Sequence, residues 1–157
     1  MTSDEELLHQ AVAVAHAARD HGNHPFGALL VTADGEVALR AENTVVTERD
    51  ATGHAETNLV RLASPSFSRA ELSQMSLYSS AEPCAMCAGA VYWSGIGRVV
   101  FALAETELLG LTGDDPENPT LSLPCREVFA AGQRPITVVG PYDLSAAVAV
   151  HQDFWNH

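Results

Sequence analysis

The chain of 157 residues contains no lysine; eight arginines face twenty aspartates and glutamates, for a formal charge of −12. A field of that sign repels polyanions, and polynucleotide binding needs several cationic phosphate contacts, so the composition argues against a nucleic-acid partner. No run of eighteen apolar residues is present, and no membrane span is expected. The opening "MTSDEELLHQ" has neither a positive region nor a long apolar stretch, so a secretory leader is not expected and the cytoplasm is the default compartment. Three cysteines are an odd count for a disulfide framework, and the C-x-x-C spacing of Cys84 and Cys87 favours metal or redox chemistry. Internal repeats, low-complexity tracts and linkers are also missing. Residues 1–157 are therefore expected to form a single domain, long enough to bury roughly 68–70% of the unfolded surface.

What is there reads as alternating elements. Ser3 and Glu6 form a capping-box pattern ahead of "ELLHQAVAVAHAARDHG", a helix that Gly22 is placed to end. "FGALLVTA" and "EVALRAEN", joined at Asp34-Gly35, predict a hairpin. A helix follows from about His54 to Ala63, closed by "SPS". "MSLYSS" and "RVVFAL" read as buried strands flanking a helix in "CAMCAGAVYWSG" that begins after Pro83. The loop "GLTGDDPENPT" leads to a short helix in "CREVFAAG", a last strand "PITVVG" and a terminal helix from Tyr142 onward. This pattern predicts an α/β fold with a mixed sheet between helices.

The chemistry gathers at the starts of two of these helices. His54, Cys84 and Cys87 offer one imidazole and two sulfurs, a donor set for a catalytic zinc whose fourth position is left to water. Thiols at a positive helix end ionise more readily. Glu56 stands two residues beyond His54, where it need not be a ligand and can move a proton to or from the bound water, whose pKa the metal lowers from 15.7 to about 7. Taken singly, His-x-Glu or Pro-Cys-x-x-Cys has plainer explanations, including a redox pair or half of a structural zinc site. In this order they make the H-x-E, P-C-x-x-C arrangement of zinc deaminases.

With "HPFGALLV", "AEN", "HAE" and "AEPCAMCAGAVYWSGI" in sequence, the chain from about Leu7 to Val139 resembles the cytidine deaminase-like superfamily. Its wording is closest to the branch of cytosine, guanine and tRNA adenosine deaminases. The resemblance implies a three-layer α/β/α sandwich with a five-stranded mixed sheet and one Zn2+ per chain, held by His54, Cys84 and Cys87, with Glu56 as the catalytic acid and base. It further implies that Asn43 hydrogen-bonds a carbonyl or ring nitrogen of a nucleobase, that the Ala55 backbone N–H meets its polar edge, and that Phe26 walls the slot.

Guanine deaminase is the leading activity. The Tyr92-Trp93 pair matches an aromatic pair of bacterial guanine deaminases, and Asp114 and Asp115 resemble an acidic loop position that accepts hydrogen bonds from the purine. Phe154 and Trp155 in "HQDFWNH" resemble a tail that in one branch covers a neighbouring active site. Deamination of tRNA adenosine, cytosine, a nucleoside or an aminotriazine are the alternatives, and a structural zinc module is the reading outside enzymes. Relatives are dimers or tetramers, and a homodimer is expected. Cys125 reads as a packed side chain. His9, His16, His21, His24, His151 and His157 lack partners at ligand spacing, with His24 nearest the expected pocket. At Glu82 the backbone carbonyl is expected to matter more than the carboxylate.

Overall fold

The computed structural model of the chain describes residues 2–155; His157 lies outside them. The first helix, α1 (Asp4–Asp20), starts where the sequence places it. The Ser3 hydroxyl accepts the Glu6 N–H at 3.1 Å, and the Glu6 carboxylate accepts the Ser3 N–H at 2.9 Å. Its inner face, Leu7, Leu8, Ala11, Val12, Ala15 and Ala18, is buried. Strands β1 (Gly27–Val31) and β2 (Val37–Glu42) form the expected antiparallel hairpin.

Helix α2 (Ala55–Ser66) outruns its expected end at Ala63 and takes Pro65 into its last turn. There a proline removes a single ladder bond, while the hydroxyls of Ser64 and Ser66 each donate at 2.8 Å to the carbonyls of Val60 and Leu62. A short helix α3 (Arg69–Leu72), absent from the sequence reading, follows under its own Ser68/Glu71 capping box. Strand β3 (Ser76–Ala81), helix α4 (Ala85–Ser94) and strand β4 (Arg98–Leu103) form a βαβ unit whose strands are parallel. Helix α5 (Glu105–Thr112) replaces what the sequence suggests as a direct passage into loop. Its cap position is Ala104, which carries no capping side chain of the usual kind, but the Glu107 carboxylate accepts the Ala104 N–H at 3.0 Å and supplies the start signal from inside the helix. Helix α6 (Cys125–Ala130), strand β5 (Thr137–Val139) and helix α7 (Ser145–Ala149) complete the chain; the terminal helix is shorter than the expected run from Tyr142.

The sheet order is β2-β1-β3-β4-β5, with β1 antiparallel to both neighbours and β3, β4 and β5 parallel. It is the five-stranded mixed sheet expected, with helices on both faces. Leu29, Val31, Val100 and Ala102 face α1 and α7, whereas Ala28, Leu30, Val99 and Phe101 face α2, α4 and α6. Both faces are dry, so β1 and β4 read as continuous apolar runs rather than as alternating ones. A Cβ added to Gly27 would sit 2.5 Å from the Ala11 carbonyl oxygen and the Ala15 nitrogen of α1, so only glycine lets that helix lie on the strand.

Beyond α7 the chain turns back over the start of β1. Arg19 donates to the carbonyls of Val150 at 2.8 Å and Gln152 at 2.7 Å, and its guanidinium lies over the Phe154 ring. Trp155, 8% exposed, donates its indole N–H to Nδ1 of His151 at 2.9 Å. That nitrogen must therefore be unprotonated. Burial, assisted by the nearby Arg19 charge, pushes the His151 pKa down to about 4 from 6.5.

Two predictions follow from these contacts. Gly27→Ala should lower stability by about 1–3 kcal/mol or more in a denaturant melt, because α1 must be forced off the strand. A neutral His151 contributes its full stabilisation above the unfolded pKa of 6.5, and this is lost as pH falls from 6.5 toward 4, by on the order of 3 kcal/mol in all. His151→Gln should flatten that limb of the stability-against-pH curve; a slope equal to that of the parent protein would contradict the assignment.

Candidate active site

His54 and Cys84 occupy equivalent places: each is the residue just before a helix, α2 or α4, in extended backbone, and neither side chain caps its own helix. Both are thus free to turn toward a common point. Cys87 reaches it from the first turn of α4, one turn along the same face. Nδ1 of His54 lies 3.6 Å from the Cys84 sulfur and 3.5 Å from the Cys87 sulfur. A tetrahedral ion with Zn–S of about 2.3 Å and Zn–N of about 2.0–2.1 Å separates nitrogen from sulfur by about 3.6 Å, so the three donors fit zinc. Among the described residues they are the only cluster of three or more His, Cys, Asp or Glu donors close enough to share an ion, which leaves a tetrahedral fourth position without a protein ligand.

The hydrogen bond from the Cys87 thiol, joined by one from His54, holds the Cys84 pKa well below the usual thiol range, while Cys87, beside that thiolate and fully buried, is pushed up. The Thr57 hydroxyl lies 3.2 Å from the Cys87 sulfur and supports it from behind. The hydrogen bond with Cys84 raises the His54 pKa against the effect of burial. Glu56 is 5% exposed; burial, reinforced by the Cys84 charge, raises its pKa to about 7, against the pull of His54 and a hydrogen bond from Ser79.

A cavity of about 360 Å³ opens over this cluster, within the range of small-molecule sites. His54, Glu56 and Cys84 face it, as do Phe26 and Asn43. Asn43 is 2% exposed; its Oδ1 accepts the Val45 N–H at 3.0 Å, which fixes the amide and leaves its NH2 to the cavity. Ala55 is the first residue of α2 with its methyl in the core, so what it can offer is the backbone N–H, one of those at a helix start without an intrahelical partner.

Three residues expected to contact the substrate lie outside the cavity lining. Trp93 does not line the cavity and is 73% exposed. At about 3.6 residues per turn it falls two and a half turns after Cys84, on the far side of α4. Asp114 and Asp115 are likewise outside the lining. Asp115 instead accepts the Glu117 N–H at 2.9 Å, and it is Glu117, with Asn118, Pro119 and Leu121, that the loop brings to the mouth. Glu117 pairs there with Nε2 of His24 at 3.1 Å. His24 in turn packs edge-on against Trp155 and Phe154, and Phe26 against His151, so the tail supports the pocket wall of its own chain.

The sequence reading also undervalues Glu82. Its carboxylate accepts two buried backbone N–H groups, from Glu105 at 3.0 Å and from Cys125 at 2.9 Å, and so ties the starts of α5 and α6 to the strand that delivers Cys84. Cys125 is buried with its thiol pushed up to about 12 by burial, then by Glu82, and is not part of the donor cluster. Glu105 lines the cavity; the sequence reading assigns no element between the strand "RVVFAL" and the loop that begins at Gly110, and so singles out no residue there.

Residues 1–103 match the cytidine and deoxycytidylate deaminase zinc-binding region. The chain belongs to this deaminase family. A probable cytosine deaminase of Schizosaccharomyces pombe is 42% identical over 153 residues, covering 98% of this chain and 93% of that protein. The guanine deaminase of Bacillus subtilis is 37% identical over 112 residues, 71% of each chain. A solved guanine deaminase of Nitrosomonas europaea superposes with a TM-score of 0.78 at 27% identity, covering 98% of this chain and 85% of that one. The family is that of zinc-binding deaminases, hydrolytic enzymes of nucleobases, and the donors that fit the ion are the chain's own His54, Cys84 and Cys87.

Cys84→Ala or Cys87→Ala should reduce zinc copurifying with the protein from about one per chain to a small fraction, read by elemental analysis. Glu56→Ala should leave the metal content unchanged, since the carboxylate is outside the donor set.

Proposed function

We propose that the protein hydrolyses the amino group from a free nucleobase, with guanine as the first substrate, giving xanthine and ammonia. A zinc ion held by His54, Cys84 and Cys87 would supply the Lewis acidity that makes water nucleophilic at neutral pH. Glu56 takes a proton from that water as the carbon–oxygen bond forms and delivers it to the departing amine as the carbon–nitrogen bond breaks. Its burial beside the Cys84 thiolate suits a group that must both hold and release a proton. Asn43 offers its NH2 to a base carbonyl, and Phe26 stacks along the slot.

The observation that carries this reading is the cavity: about 360 Å³, walled by Phe26, Leu108 and Met86, faced by carboxylates and amides, and with no arginine among its described lining residues. That lining suits a neutral heterocycle rich in N–H groups and offers no cation to a phosphate. Glu117, the acid that the 114–121 loop brings to the mouth, supports a purine, as does the full-length likeness to the guanine deaminase fold. The Schizosaccharomyces pombe relative favours cytosine as the second reading. Exposed Trp93 and Leu62 support a homodimer, and three free thiols support a reducing, cytoplasmic setting.

In an ammonia-release screen, guanine should give kcat/KM at least about tenfold above cytosine, with 5′-nucleotides at background. A preference for cytosine, or turnover of a nucleotide, would reverse the reading. Glu56→Ala should lower kcat by roughly 10²- to 10⁴-fold with zinc retained; full activity in that variant would remove Glu56 from the mechanism.

A further inference from the structure

Glu105 is a carboxylate that the zinc cluster does not use. It is 8% exposed, lines the cavity together with Glu56 and Cys84, and is outside the cluster of donors that fit one ion. Among the described residues its side-chain oxygens accept no hydrogen bond. A glutamate in the first turn of a helix needs only to favour the N-terminal dipole, and solvent exposure serves that purpose. This one is instead turned inward beside two further acids, where an unpartnered carboxylate is costly. Its backbone is also fixed, because the Glu82 carboxylate accepts the Glu105 N–H at 3.0 Å in the interior. A buried acceptor held in place and left open to a cavity is arranged for a donor that arrives with the ligand.

We propose that Glu105 is a specificity-determining residue that accepts a hydrogen bond from a ring N–H of the bound heterocycle, a group other than the amine being removed. The site thereby selects neutral heterocycles with a second N–H donor and discriminates against analogues in which that nitrogen is alkylated. This rests on the reading of the cavity as a nucleobase site. It adds to it a residue that lies just beyond the part of the chain matched by the family.

The test measures binding without turnover. Zinc-loaded Glu56→Ala protein is titrated with guanine and with 1-, 7- and 9-methylguanine by equilibrium dialysis, and the titrations are repeated with Glu105→Ala and with Glu105→Gln added. With Glu105 in place, methylation at one of the three nitrogens should weaken binding at least about tenfold. Removing Glu105 should weaken guanine itself by about tenfold or more, in line with a hydrogen bond to a charged group, and should abolish most of the penalty at that one position. Glu105→Gln, which keeps the shape and one carbonyl acceptor, should fall between. Guanine affinity unchanged within twofold in both variants, methyl penalties that persist at every position, or no guanine binding while Glu105 is present would each overturn the proposal. Failure of guanine as the turnover substrate would show separately, as no ammonia from guanine in protein that retains Glu56.

Discussion

The distance between one imidazole nitrogen and two sulfurs is set by backbone that no single helix controls. His54 and Cys84 each stand in extended backbone just before a helix, and the packing of α2 against α4 on one face of the sheet brings those two beginnings together. The separations of 3.5 and 3.6 Å come from that packing and not from a tether between the two sequences. The polarity of both helix starts favours negative charge on the ligands. Glu56, buried on the first turn of α2, inherits its orientation from the same junction. Anything that slides α2 against α4 would spoil the donor geometry and the carboxylate's reach together.

The parts of the site divide along the chain. The three donors, Glu56, Asn43 and Phe26 all fall within residues 1–103, the region that matches the deaminase family. Glu105, Leu108, Glu117, Asn118, Pro119 and Leu121 come after it and form the rest of the wall. His24 belongs to the first part but is held by Glu117 on one side and Trp155 on the other. The common chemistry thus sits on the rigid sheet and its two central helices. The walls that meet the ligand's remaining edges sit on segments with more freedom to vary.

The same division explains what was legible in the sequence. The hairpin turn, the buried strands and the Ser3 capping box are local signals, and each survives in the structure because no long-range contact opposes it. His54, Cys84 and Cys87 were legible because their spacing relative to helix starts is itself the chemistry. Trp93 falls outside the cavity lining because adjacency in a motif says nothing about which side of a helix a residue occupies. Asp114 and Asp115 fall outside it for a related reason: the acidic loop is legible, but which of its acids lines the cavity is set by loop bonds such as that of Asp115 to the Glu117 backbone. Glu105 was hidden because the start of α5 has no recognisable capping side chain at Ala104.

Glu82 has a consequence for how the molecule comes into being. Its two partners are the amides of residues 105 and 125, the latter well past the last residue that touches the metal. During synthesis the ligands emerge long before those amides do, and until then a charged side chain destined for the interior has nothing to bond. The pocket therefore cannot mature stepwise behind the metal cluster. It should assemble in the same cooperative event as the second half of the sheet, so that a nascent chain arrested before Cys125 would carry every ligand and still lack a finished binding site.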